Sequence, residues 1–330
     1  MAPKTLVTGA GGFIGSAVVR RLLARKRAVR CYLKPGEPTK NLDGLDVEII
    51  YGDVGDRAAV ARALEGCDVL YHLAAIYSLW LPDPAVIYEV NVEGSKTVLW
   101  AAYKAKLRKV VYTSSVVAVG HREDGTPADE TVPFHEWEES NAYIRSKWLS
   151  ERDAPRFARE GLPLTVVNPA LPFGERDIGP TPTGRLLLSV LKGQSWGYMD
   201  GGFCAIDVDD LAEGHLLAEE KGRVGERYIL GNHNITYQEF GDLVAEAGGV
   251  KAPARHLPSW FAKGVGRMAE YVADHYTHRP PVTTYKAIRY GLLSLYYDNA
   301  KAKSELGLPQ TPLRATIEKS VRWFRDHGYV

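Results

Sequence analysis

Thr8-Gly9-Ala10-Gly11-Gly12-Phe13-Ile14-Gly15 is the stretch on which the reading of this chain turns. It follows a short β-rich run, Thr5 to Thr8, and opens a segment, Phe13 to Lys26, with Ile14, Val18, Leu22 and Leu23 at helical spacing. The three glycines have separate physical uses. Gly9 permits a tight turn, Gly12 lets the backbone come close to a pyrophosphate, and Gly15 lets helix and strand pack together. The helix start presents unpaired N–H groups and the positive end of its dipole, which suits phosphate. Glycines also serve ordinary turns, so the spacing gains its meaning from its place in the first turn of a βαβ unit. Gly9, Gly12, Phe13, Ile14 and Gly15 are therefore read as a dinucleotide-binding loop.

Outward from this loop, strand and helix patterns alternate. Strands are predicted at Val29 to Leu33, Val47 to Tyr51, Val69 to Leu73, Lys109 to Ser114 and Leu164 to Val167. Helices are predicted at Arg57 to Glu65, Ala85 to Ala105 and Asn141 to Arg159. Parallel neighbours need a crossover, so this order implies an α/β fold with a doubly wound parallel Rossmann sheet and ligands beyond the carboxyl ends of the strands. Arg122 to Ser140 reads as a long functional loop. From Leu171 the alternation weakens under Pro172, Gly174, Gly179, Pro180, Pro182 and Gly184. Residues 1–170 are expected to form the NADP-binding Rossmann domain. Residues 171–330 are expected to form mainly a smaller C-terminal substrate lobe, with some segments returning to the Rossmann core. Thr236 to Glu246 and Ala315 to Phe324 read as helices.

Composition narrows the classes. The 330 residues are 45% hydrophobic and 25% charged, as in ordinary globular proteins, and the net charge of +1 supplies no global field toward nucleic acid or anionic lipid. Cys31, Cys67 and Cys204 have neither metal-ligand spacing nor the pairing of a secreted scaffold, and no leader is evident, so no metal and a cytoplasmic location are expected. No window is apolar enough to span a bilayer. Leu257 to Val272 is aromatic and amphipathic, with Trp260, Phe261 and Met268. Its few basic residues favour packing on the lobe or at a subunit contact over lying on a membrane surface. The helices Ala85–Ala105 and Asn141–Arg159 are the expected seam of a homodimer.

The second strand bears on NAD against NADP. An acid at its end would grip the ribose 2′-hydroxyl and repel a 2′-phosphate, but the chain reads Val29-Arg30-Cys31-Tyr32-Leu33-Lys34. Lys34 is placed to meet a 2′-phosphate, so NADP(H) is the expected cofactor, with NAD possible. After the third strand, Asp53 in Gly52-Asp53-Val54 can accept a hydrogen bond from the adenine amino group, while Asp53 or Asp56 could instead cap a helix. Ala74 and Ala75 end the fourth strand and would let backbone lie against the cofactor.

Tyr143 and Lys147 stand four apart in the helical stretch Tyr143-Ile144-Arg145-Ser146-Lys147, on one helix face. Beside a nicotinamide they form a proton-transfer pair: a free tyrosine has a pKa of about 10, and a neighbouring ammonium and the oxidised nicotinamide both favour the phenolate. Lys147 can also hold the nicotinamide ribose. Ser115 is the candidate to hydrogen-bond the reacting oxygen, with Ser114 as the alternative because one strand position reverses the face. Pro169 and Ala170, after Asn168, are expected to meet the nicotinamide carboxamide through backbone groups.

Together these residues resemble the extended short-chain dehydrogenase/reductase family. Gly9/Gly12/Gly15, Asp53, Ser115, Tyr143, Lys147 and Asn168-Pro169 match its pattern in order, and Ala205 to Leu211 and Ala302 to Gly307 resemble its later signatures. The chain is similar to the dihydroflavonol-4-reductase-like branch. Through Asn91 to Gly94 and Arg176 to Gly184 it also resembles the hopanoid-associated sugar epimerase group. The resemblance implies that Asn91 faces the active-site region. It departs from NAD-keeping epimerases at Leu33-Lys34, where they usually carry an acid, and at Asp207, where a histidine is common.

Three functions follow as expectations. One is NADPH-dependent reduction of a carbonyl, or oxidation of an alcohol, on a small-molecule substrate. Another is sugar epimerisation through a transient ketone, for which Arg176, Arg185 and Arg223 could hold a second pyrophosphate. The third is NADP sensing without turnover. Trp80, Phe173, Trp196, Tyr198 and Phe203 point to an aromatic or lipid-like substrate, and are equally plausible as core.

Overall fold

The computed structural model describes residues 4–135 and 137–330. The first strand, β1 (Lys4–Thr8), runs into the glycine loop and then α1 (Phe13–Ala24). There follow β2 (Val29–Leu33), β3 (Glu48–Tyr51), α2 (Arg57–Leu64), β4 (Cys67–His72), α3 (Ala85–Tyr88), α4 (Ser95–Lys104), β5 (Lys109–Thr113), α5 (Ala142–Arg159) and β6 (Leu164–Pro169). The helix expected from Ala85 to Ala105 is one rod in which a wider, π-type turn, Glu89–Gly94, separates α3 from α4. That turn carries Asn91 inward, where it is buried.

The sheet is parallel, in the order β3-β2-β1-β4-β5-β6. A later strand, β9 (Arg227–Leu230), joins as a seventh beside β6. Thr8 pairs with Tyr32 on one side and His72 on the other, so the carboxyl ends of the three strands are level. The centre of the sheet is buried on both faces, and Leu6, Val7, Leu70, Tyr71, Val110 and Val111 are almost wholly covered. Near-continuous apolar strands of this kind belong to sheets with helices on both sides.

Beyond Leu171 the structure is more regular than its prolines and glycines imply. β7 (Leu171–Phe173), α6 (Pro182–Leu191), β8 (Gly202–Asp207), α7 (Val208–Glu220), β9, β10 (His233–Thr236) and α8 (Tyr237–Gly248) follow in turn. The chain continues through α9 (Ser259–Val272), α10 (Tyr285–Gly291), β11 (Ser294–Leu295) and α11 (Leu313–Asp326). β8 pairs with β7 and β11 in parallel and with β10 antiparallel, forming a second sheet that local patterning did not reveal. Phe173, Phe203, Phe240, Ile317 and Phe324 make the core beneath it. α7 turns back to pack on α1, so the chain after 171 contributes to both bodies.

Candidate active site

Gly9 has φ +68°, and a Cβ there would lie 2.8 Å from the Ala74 nitrogen; no other residue fits that turn. A Cβ on Gly15 would lie 2.1 Å from the Gly9 carbonyl oxygen, which is how α1 seats so closely on β1. Gly12 starts α1 and no side chain caps it, so the N–H groups of the first turn remain for a ligand. Thr8 Oγ1 accepts from Leu73 N at 3.2 Å and Ala74 N at 3.1 Å, fastening the ends of β1 and β4 together. A groove of about 360 Å³ crosses these ends, lined by Gly9, Lys34, Glu37, Asp53, Val54, Ala74 and Ala75. Bare glycine backbone, an uncapped helix start and small strand-end residues fit an extended dinucleotide, with Phe13 and Ile14 as the first helical residues behind the loop.

The groove resolves one ambiguity and adds a residue. Asp56 caps α2 by accepting from Ala58 N and Ala59 N, whereas Asp53 accepts from Gly55 N and keeps its carboxylate at the groove. Lys34 is exposed at the groove edge. Glu37, three residues on, folds back to accept from the Lys34 backbone N–H at 3.0 Å. Sequence reasoning stopped at the strand end and missed this second-strand carboxylate, whose burial holds its pKa above the usual range.

At the other end of the sheet's carboxyl edge, α5 begins with Asn141, whose Oδ1 accepts from Ile144 N at 3.0 Å. Tyr143 and Lys147 then fall on one face, toward the end of β5. Lys147 Nζ donates to the Thr113 carbonyl at 2.8 Å. The Ser115 hydroxyl lies near enough to the Tyr143 phenol to lower its pKa. Ser114 points the other way, with its Oγ buried and unpartnered, so Ser115 is the serine on the Tyr143 face. Tyr77, on the segment leading away from the groove residues Ala75 and Ile76, packs on the Tyr143 ring with centroids 4.8 Å apart.

The electrostatics differ from the expected pair. Burial pushes Tyr143 up to about 12, partly offset by the Ser115 hydroxyl, and no influence of Lys147 enters. Burial lowers Lys147 to about 8, against which the charge of Glu151 acts. Burial thus favours the neutral phenol over the phenolate.

Behind the pair lies a network that sequence reasoning did not find. Glu151, one further turn along α5, is buried and accepts from Asn168 Nδ2 at 2.6 Å and from Arg227 Nη1 at 2.8 Å. Asn168 Nδ2 also donates to the Ser115 carbonyl at 2.9 Å. The i, i+4, i+8 spacing of Tyr143, Lys147 and Glu151 was the available signal. Asn91 faces the site region: its Oδ1 accepts from Ile76 N at 2.7 Å and its Nδ2 donates to Ser146 Oγ at 2.9 Å, clamping the segment before Tyr77 to α5.

Some expected participants lie elsewhere. The Ala170 N–H donates to Leu230 O at 2.9 Å and Pro169 has none, so a backbone contact from these two to the carboxamide would be made by a carbonyl oxygen. Arg223 pairs with Glu305, near Thr165 at the amino end of β6, far from the groove. Arg176 approaches Arg20, and only Arg185 lies close enough to influence Tyr77. Phe173 and Phe203 are lobe core, and Trp196 is largely exposed. The aromatic groups that do gather at the site are Tyr77 and Tyr237.

Comparison with known proteins agrees with this geometry. The family model described as "NAD dependent epimerase/dehydratase family" matches residues 5–231. A Synechocystis protein provisionally named dihydroflavonol 4-reductase is 37% identical, covering 100% of this chain and 97% of its own. Sterol demethylase protein B of Methylococcus capsulatus is 35% identical over 99% of both chains. Cinnamoyl-CoA reductase 2 of Arabidopsis thaliana is 32% identical over 98% of this chain and 93% of its own. Among solved structures, that of gox2253 superposes with a TM-score of 0.88 at 40% identity, covering 99% of each chain.

Proposed function

Since the chain belongs to the NAD dependent epimerase/dehydratase family and is an enzyme of the extended short-chain dehydrogenase/reductase kind, we propose that it is an NADP(H)-dependent oxidoreductase. Its substrate is a small aromatic or lipid-like carbonyl or secondary alcohol. The observation that carries this reading is the convergence of Ser115, Tyr143 and Lys147 at the end of β5. The nicotinamide, when bound, supplies or accepts the hydride. The groove residues from Gly9 to Ala75 hold the dinucleotide, and Lys147 reaches its ribose. Ser115 orients the substrate oxygen, and Tyr143 gives that oxygen a proton. A phenol pushed up by burial is protonated at neutral pH, the form that carbonyl reduction requires.

Lys34 at the groove, with no acid at the end of β2, favours NADP(H), and Glu37 limits that preference. Tyr77, packed on Tyr143 and with Tyr237 near it, favours an aromatic or isoprenoid substrate, as do relatives named for sterol and cinnamoyl chemistry. Arg185 favours a second reading, epimerisation of a nucleotide-linked sugar. It is the weaker one, because Arg223 is committed to Glu305. The protein acts in the cytoplasm as a homodimer joined through α4 and α5, where Trp100 is left 40% exposed.

The deciding experiment is cofactor analysis of the purified protein, followed by NADPH oxidation with aromatic and isoprenoid ketones and aldehydes. Exchangeable NADP and turnover of such carbonyls are expected. Tightly retained NAD with interconversion of a nucleotide sugar would replace this reading by the epimerase. Sedimentation showing only monomer would remove the dimer.

A further inference from the structure

We propose that the outward face of α9 seats this protein on an anionic lipid surface, next to the mouth of the active site. α9 meets α10 through small residues: Ala262 and Gly266 are buried, and a Cβ on Gly266 would lie 3.1 Å from the backbone of Thr284. The large side chains point away. Trp260 is 74% exposed, Met268 64% and Tyr271 51%, and Phe261, Val265 and Val272 stand exposed among them. At 3.6 residues per turn these six cover about 140° of the helix surface. The helix packs on the lobe, as expected, but through its small-residue side, which leaves the aromatic side outward.

Charge selects the occupant. Residues 251–279 hold five Lys or Arg and two Asp or Glu, a formal +3, while the rest of the chain sums to −2 within the total of +1. Arg267 borders the apolar arc on one edge, with its guanidinium over the Tyr285 ring, and Lys263 lies further round on the same edge. A second copy docked on this face would bring two such positive segments together, whereas a bilayer of acidic lipids meets them with opposite sign. An exposed aromatic stripe with cations at its edge is the arrangement of a helix lying in the plane of a membrane interface.

The face is tied to the site. Trp80 Nε1 donates to Asp274, just after α9, at 2.8 Å. Three residues earlier, Tyr77 packs on Tyr143. A lipid-like substrate leaving the bilayer at α9 would therefore meet the catalytic tyrosine across one short segment. That link rests on the reductase reading above; the docking does not, and its test needs no turnover.

The test is co-sedimentation of the full-length protein with vesicles of phosphatidylcholine alone or with about one-third phosphatidylglycerol, at low and high salt. The bound fraction should be about tenfold higher on the anionic vesicles at low salt and fall with salt. The double variant Trp260→Glu/Met268→Glu should lose about tenfold of it, and Lys263→Glu a smaller share, with thermal unfolding unchanged. Absence of binding, equal binding to neutral and anionic vesicles, or a wild-type dimer split by the double variant would each overturn the proposal. The wild-type comparison stands by itself should the double variant misfold.

Discussion

Two helices of this protein break the ordinary rule of burial in opposite directions. α5 buries Lys147 and Glu151, residue types that are almost never fully covered. α9 leaves Trp260 and Met268 in the open and turns alanine and glycine inward. Both helices are amphipathic, so pattern alone does not tell them apart. The difference is in what each face meets. The charges on α5 find partners, in Thr113 for Lys147 and in Asn168 and Arg227 for Glu151. The large apolar side chains of α9 meet mainly one another and the turn that follows: Trp260 packs edge-on against Phe261, and Tyr271 stacks on His275. A charge held inside at a cost, and an apolar surface held outside at a cost, are each signs of work beyond folding.

Substitutions on the two helices should sharpen that contrast. The largest effect is expected from Tyr143→Phe, which removes the proton donor: kcat/KM for carbonyl reduction should fall about 10³-fold while NADPH binding persists. If turnover survived, the role given to α5 would be wrong. Glu151→Gln should lower kcat/KM by about tenfold and destabilise the fold by about 1–3 kcal/mol in a denaturant titration, because Arg227 loses its carboxylate partner and keeps only the Glu130 carbonyl. This variant also has a pH signature. Lys147 titrates near 8, so wild-type reduction should decline as pH rises through that value and the ammonium is lost. Glu151 raises the lysine's pKa, so removing its charge should move the decline to lower pH; an unmoved profile would leave Glu151 a purely structural role. At the cofactor edge, Lys34→Ala should raise the KM for NADPH relative to NADH by about tenfold, and Glu37→Gln should lower it, by the worth of one charge-assisted contact. The smallest effect belongs to α9: Trp260→Ser should change stability by no more than about 0.5 kcal/mol, since an exposed side chain has little packing to lose.

Much of the site was legible because its signals are local. The glycine loop must occupy a turn that only glycine adopts, and Gly9 does so against Ala74. Asn141 caps α5, and the helix period then places Tyr143 and Lys147 together. The second strand was read at its true ends, Val29–Leu33. What escaped depends on distant partners. Glu37 matters only because its loop folds back to the groove. The second sheet consists of strands of two to six residues, too short for alternation to stand out, and they pair across long separations. Phe173 and Phe203 looked like substrate contacts because an aromatic residue reads the same whether it lines a pocket or fills a core.

The chain's own order of residues decided the Rossmann half, the dinucleotide groove and the tyrosine–lysine pair, since each arises from neighbours within a turn or a helix. Only the folded arrangement decided that Ser115 and not Ser114 meets the phenol, that burial holds that phenol in its acid form, and that Glu151 stands behind the lysine. It also decided that the aromatic side of α9 faces outward. Those properties come from groups far apart in sequence brought into one low-dielectric interior or onto one open surface, and no local spacing encodes that proximity.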